Sequence, residues 1–127
     1  MKLRIHGNSL RLRLNRTDIE IFQQTGIREE QVRFDSGACL IYALEAATVT
    51  AIESEFSGNA IWVRVPVQMA RAWATSDQVS LSADSPTDNG PSVLIEKDFQ
   101  CLHREGENEQ DDADAFPNPE AQVPNRG

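Results

Sequence analysis

The chain has 127 residues, a formal net charge of −8, 39% hydrophobic and only 6% aromatic residues. This length argues for one domain, and no apolar run reaches the ~18 residues of a membrane span. Arg4, Arg11 and Arg13 interrupt the first apolar stretches, which argues against a secretory signal and for the cytoplasm of a bacterial-type cell, with Cys39 and Cys101 as reduced thiols.

The first segment, KLRIHG, alternates. Lys2, Arg4 and His6 share one side and Leu3 and Ile5 the other, so a half-buried strand is expected. Gly7-Asn8-Ser9 reads as a turn, and Leu10, Leu12 and Leu14 alternate with Arg11 and Arg13 in a second strand. Thr17 followed by Glu20 reads as a capping box opening a helix, with Ile19 and Phe22 on its apolar face and Gly26 closing it. EQVRF and ACLIYALEA then read as strands joined by Asp35-Ser36-Gly37.

The second half runs in the same order. TAIESEF is a strand with Glu53 and Glu55 on its polar side, and Ser57-Gly58-Asn59 is the turn. AIWVRV puts Ile61, Val63 and Val65 on one side, leaving Trp62 and Arg64 on the other. Pro66 suits a helix start, and Val67, Ala70 and Ala74 mark the apolar side of that helix, into which Trp73 packs. QVSLSA and SVLIEKDF are the last strands, on either side of the turn-rich loop from Asp84 to Pro91. Gly7-Asn8 matches Gly58-Asn59, Leu12-Arg13-Leu14 matches Val63-Arg64-Val65, and Gln31-Val32 matches Gln78-Val79. The chain therefore reads as one duplicated domain over residues 1–102, with repeats at about 1–47 and 48–102, followed by an acidic, proline-containing tail over 103–127.

Each half resembles an AbrB/MazE-type swapped-hairpin domain. The similarity rests on Gly7, Asn8, Ser9 and Arg13 in the first half and on Gly58, Asn59, Val63, Arg64, Val65 and Pro66 in the second, with SDQVSL similar to that family's G-D-x-V-x-L strand. The resemblance implies an α+β fold: a small antiparallel barrel built from two tandem strand–strand–helix–strand–strand repeats about a pseudo-twofold axis. It also implies a DNA-facing surface, which maps here onto Arg4, His6, Asn8, Arg11 and Arg13. Whole-chain features, the opening K-x-R-I-x-G-N-S-x-R-L-R-L, the later D-F-x-C-L and a D-x-F-P-x-P tail, resemble an uncharacterised bacterial family of small acidic proteins.

Charge distribution weighs against DNA. Residues 1–47 carry seven basic and six acidic groups, 48–102 three and seven, and 103–127 two and seven. Glu53 and Glu55 stand where the first half offers cations, so one half-site would repel phosphate. Glu53 and Glu55 are also similar to part of the E-x-E-x-K signature of triphosphate-tunnel (CYTH-like) barrels, without its lysine. That similarity would imply a phosphate- or anion-binding barrel; otherwise the pair is a solvated strand face. One C-x-H pair, Cys101 and His103, falls short of a zinc site, and no phosphate loop or nucleophile motif is present, so neither catalysis nor a cofactor is expected. An exposed Trp beside an Arg suits a contact hot spot, and an acidic run leading to Phe-Pro suits a linear motif. The sequence thus favours a non-catalytic interaction or accessory protein that binds a protein partner through Trp62, Arg64, Asp111, Asp112, Asp114 and Phe116.

Overall fold

A computed structural model describes residues 1–84 and 90–99. Eight strands and two helices follow in the order β1 (Lys2–His6), β2 (Ser9–Leu14), α1 (Arg16–Thr25), β3 (Ile27–Arg33), β4 (Cys39–Ala47), β5 (Glu53–Ser57), β6 (Ala60–Pro66), α2 (Val67–Ala74), β7 (Ser80–Ala83) and β8 (Ser92–Lys97). The strands lie where period-two alternation places them.

The barrel expectation fails. The strands form two separate four-stranded sheets, β1-β2-β8-β7 and β3-β4-β6-β5, and neither closes. Each sheet is mixed: its inner pair, β2 with β8 or β4 with β6, is parallel, and its outer pairs are antiparallel. The fold is α+β, but it is not an AbrB-like barrel. Closure would need the edge strands to pair, and these edges carry charged side chains at alternating positions, such as Lys2 and Arg4 on β1, Glu29 on β3 and Glu53 and Glu55 on β5. Charged edges resist further pairing. Alternation reports which side of a strand is buried. It does not report which strand lies alongside, and the parallel partners are far apart in sequence.

Exchanging the two halves carries one sheet order onto the other. Small contacts obey the same exchange. The Ser92 amide donates to the Asn8 carbonyl (3.1 Å) and the Ile41 amide donates to the Asn59 carbonyl (3.0 Å). Each Gly-Asn turn therefore reverses its own hairpin and also receives the amide at which the parallel pairing begins. Gly7 and Gly58 hold φ of +55° and +57°, which glycine adopts without the Cβ penalty. The Lys97 amide donates to Val79 and the Ala46 amide to Gly26 (3.0 and 2.9 Å), so Gly26 corresponds to Val79. The expected match of Gln31-Val32 with Gln78-Val79 is thus out of step by six residues.

Both sheets contribute to one core. Leu12, Leu14, Leu81, Val93 and Ile95 from the first join Leu44, Val63 and Val65 from the second, with Phe22 and Trp73 from the helices. Phe22 and Trp73 meet edge to face at 6.4 Å, and the Trp73 indole N–H donates to the Val79 carbonyl (3.1 Å). Trp73 and Ala70, rather than the largely exposed Val67, form the buried side of α2. The difference follows from size, since Trp73 buries far more apolar surface than any alanine.

The first helix is capped two residues earlier than expected. Asn15 is the N-cap: its side chain accepts from the Asp18 amide (2.9 Å), and Asp18 accepts from the Asn15 amide (3.0 Å). Asn and Asp cap as well as Ser or Thr, and Asp18 has further reasons to be there. It is buried, 2.9 Å from the Met1 amine and 2.8 Å from Arg28 Nε. Gly26 ends the helix in the left-handed region, as expected.

Candidate functional site

The outward residues of the two sheets form two faces that are alike in layout and opposite in charge. On the first sheet the register places Lys2, Arg13, Glu96 and Ser80 in one row, and Arg4, Arg11, Leu94 and Ser82 in the next. On the second, Glu53, Arg64, Glu45 and Ile27 form one row, and Glu55, Trp62, Ala43 and Glu29 the next. Half-exchange pairs Arg13 with Arg64 and Glu96 with Glu45. On the edge strands it sets Lys2 and Arg4 against Glu53 and Glu55.

Each central arginine is held by the glutamate beside it on the parallel strand. Arg13 donates to Glu96 from Nε (3.0 Å) and Nη2 (2.9 Å), and Arg64 Nε donates to Glu45 (3.1 Å). Arg64 also donates to Glu55 from Nη1 (2.8 Å), and its guanidinium lies 5.4 Å from the Trp62 ring centre. The hydrogen bonds to Glu55 and then Glu45 push the Arg64 pKa up, so its charge is permanent. Two carboxylates and an indole thus fix Arg64, and Arg64 in turn seats Trp62, a half-buried ring, in the middle of an acidic face.

Of the residues expected to meet DNA or another anion, Arg4 and His6 are exposed on β1, and Arg11 and Arg13 lie beside them on β2. Glu96 takes Arg13 and also stands 3.7 Å from Arg11. Asn8 donates from Nδ2 to the Gly90 carbonyl (3.3 Å) and so ties the turn to the start of the β8 arm. Glu53 and Glu55, read as a solvated strand face or alternatively as part of a phosphate tunnel, lie on an outer face, and Glu55 is bound to Arg64. Asp111, Asp112, Asp114, Phe116 and Cys101 lie outside the described residues. No group of three His, Cys, Asp or Glu that could hold a metal ion occurs among the described residues. No helix among them is long and apolar enough to cross a membrane.

Glu45 and Glu96, the anchors of both arginines, are absent from the expectation, although each sits at an alternating position in an otherwise apolar strand. A partly buried ionic cluster was also missed: Asp18, Arg28, Glu30 and the Met1 amine, with the Tyr42 hydroxyl 3.2 Å from the Met1 carbonyl and 3.3 Å from Glu30. Its members are scattered along the chain, and only the fold unites them. Burial alone would raise the Asp18 pKa. Hydrogen bonds from the Met1 amine, the Asn15 amide and Arg28 outweigh it and hold the carboxyl below its ordinary value. Burial, and then the Glu30 charge, push the Tyr42 hydroxyl up. A shallow groove of about 450 Å³ runs between the helices, lined by Phe22, Ala46, Val67, Ala70 and Ala74 among others.

Residues 1–120 match the DUF7009 family, a family of unknown function. The chain belongs to this family. The match takes in the acidic segment and Phe116 as well as both sheets. No curated protein and no solved structure matches the chain at a significant level.

Proposed function

We propose that this member of the DUF7009 family is a non-catalytic interaction protein whose partner is a protein with a basic surface. The observation that carries the reading is the row Glu55–Trp62–Ala43–Glu29, flanked by the row that holds Glu53 and Glu45. Trp62 stands at the centre of that face, and its neighbour Arg64 is fixed by two carboxylates. An aromatic anchor on a mostly acidic face, with its one neighbouring cation Arg64 engaged by Glu45 and Glu55, suits a hot spot with an electrostatic rim. The acidic segment with Asp111, Asp112, Asp114 and Phe116 carries the same sign and gives the partner a second contact.

DNA binding has less support. It would use Arg4, Arg11 and Arg13, and Glu96 already engages two of these. The equivalent strand of the other half presents glutamates, so no symmetric reader is available.

Affinity capture with quantitative mass spectrometry tests the reading. The full chain is compared with Trp62→Ala, whose melting temperature is checked in parallel. A basic protein whose recovery falls at least tenfold with Trp62→Ala, about 1.4 kcal/mol, supports the proposal. Equal recovery by Trp62→Ala and by Asp111→Asn/Asp112→Asn/Asp114→Asn overturns it.

A further inference from the structure

The groove between α1 and α2 encloses about 450 Å³. Small-molecule sites occupy about 300–1,000 Å³ and are lined mainly by apolar side chains with a few polar groups. Phe22, Ala46, Ala70 and Ala74 line this groove, and Val67 borders it with 41% of its surface exposed. Ala46 follows Glu45 on β4, so alternation turns it away from the side of the sheet that carries Glu45 and Trp62. The groove and the Trp62 face therefore lie on opposite sides of the second sheet.

Backbone acceptors along the groove are already engaged. The Phe22 carbonyl takes the Gly26 amide (2.8 Å), and the Gly26 carbonyl takes the Ala46 amide (2.9 Å). The Arg71 carbonyl takes both the amide (3.0 Å) and the hydroxyl (2.7 Å) of Thr75. The side chains of Gln23 and Arg71 stand apart from these bonds. Both line the groove and both are exposed. Neither side chain makes a hydrogen bond or an ion pair with a described residue. Among the described residues that line the groove, Arg71 carries the one charge and no carboxylate opposes it. A guanidinium fork and an amide NH2 on neighbouring helices thus offer donors to one anionic head group.

We infer that this groove binds a small amphipathic monocarboxylate, an unbranched acid of medium chain length. Its carboxylate meets Arg71 and Gln23, and its chain lies against Phe22, Ala46 and Ala70. Three features select this occupant. The lining is largely apolar, so the tail is hydrocarbon. The planar guanidinium matches a carboxylate with two parallel hydrogen bonds. One cation neutralises one negative charge, whereas a dianion would bring surplus negative charge to a chain of net charge −8. The inference goes beyond the partner reading and uses none of its residues.

Amide NMR titration of the full chain with sodium octanoate, kept below its micelle concentration, tests this. The resonances of Phe22, Ala46, Ala70 and Arg71 should shift to saturation while those of Glu53, Glu55 and Trp62 stay in place. From hexanoate to octanoate to decanoate, each added methylene should tighten binding about fourfold. Arg71→Gln changes an exposed side chain and leaves the core intact. It should weaken octanoate about tenfold or more and leave octanol binding unchanged. Ala74→Leu, which fills the groove, should weaken both ligands, with its melting temperature checked in parallel. Octylamine binding as tightly as octanoate overturns the inference. So does equal octanoate affinity in Arg71→Gln, and so does the absence of groove shifts at millimolar octanoate. Since no protein partner is used, failure here leaves the Trp62 reading to its own experiment.

Discussion

Arg13 and Arg64 occupy equivalent places in the two halves, each bound through Nε to a glutamate on the parallel strand alongside, at 3.0 Å to Glu96 and 3.1 Å to Glu45. The matching geometry shows that these arginines join hairpins of different halves. These pairs are half-buried on solvent-facing sheets, where screening keeps an ion pair to about 1 kcal/mol. We expect Arg64→Ala and Arg13→Ala each to lower stability by about 1 kcal/mol or less in urea melts, with the difference shrinking at high salt. Glu96→Gln should cost more than Glu45→Gln, because it leaves Arg11 and Arg13 facing each other without their shared carboxylate. Equal losses would show that the Arg11 contact contributes nothing.

The cluster around Asp18 sets the acid limit of stability. The Asp18 carboxyl is held below its ordinary value of 3.8 in the folded chain. A depressed carboxyl contributes stability above its unfolded pKa, and that contribution is lost as pH falls from about 4 through the lower folded value. Tyr42 works at the other end: its pKa is raised above 10.0, so stability falls as pH climbs past that value. Asp18→Ala should cost roughly 3 kcal/mol, because it leaves Arg28 beside a half-satisfied cluster, and should flatten the acid limb of a stability–pH curve. A variant whose acid limb is unchanged would contradict this.

Capping can be assigned by two neighbouring substitutions. Asn15→Ala removes the side chain that accepts the Asp18 amide and should cost about 1 kcal/mol. Thr17→Ala, at the cap suggested by sequence, should cost almost nothing, since Thr17 lies exposed within the first turn. Thermal melts that reverse the order would restore the Thr17 cap.

Trp73 is fully buried against Phe22, with its indole N–H satisfied by Val79. Trp73→Ala should cost about 3–5 kcal/mol. Trp73→Phe keeps most of the packing and leaves the Val79 carbonyl still paired with the Lys97 amide, so it should cost only the net worth of one hydrogen bond, about 0.5–1.5 kcal/mol. Emission of the remaining Trp62 in Trp73→Phe should be that of a solvent-facing indole, red-shifted from wild type. A blue-shifted Trp62 would mean that its face is covered.

The two hairpin turns should respond alike. A Cβ at Gly7 or Gly58 meets no atom within 4 Å, so the cost of alanine there is backbone strain alone. Gly7→Ala and Gly58→Ala should each lose about 1 kcal/mol. A much larger loss at one turn would break the equivalence of the halves.

Strands, turns and the second helix were legible because each leaves a local mark: alternation, Gly-Asn, or Pro66 ahead of an alanine-rich run. The sheet architecture was not. The pairings of β2 with β8 and β4 with β6 join segments about 80 and 20 residues apart, and nothing in Leu10–Leu12–Leu14 names Val93 and Ile95 as neighbours. The swapped-hairpin resemblance supplied a barrel in their place. Trp62 and Arg64 were legible as a pair, because they lie two apart on the polar side of one strand. Their anchors were not, since Glu45 and Glu55 become neighbours only through register. The Asn15 cap was missed because Thr17 and Glu20 offered the same spacing two residues later.

The central claim is that the Trp62 face meets a protein. The most direct measurement is fluorine NMR of the full chain with 5-fluorotryptophan at both tryptophans, titrated with the captured basic partner. Trp73, sealed in the core, serves as the internal reference. We predict that the Trp62 resonance shifts or broadens in proportion to bound partner while the Trp73 resonance stays in place. A partner that binds to saturation with the Trp62 resonance unmoved would contradict the account.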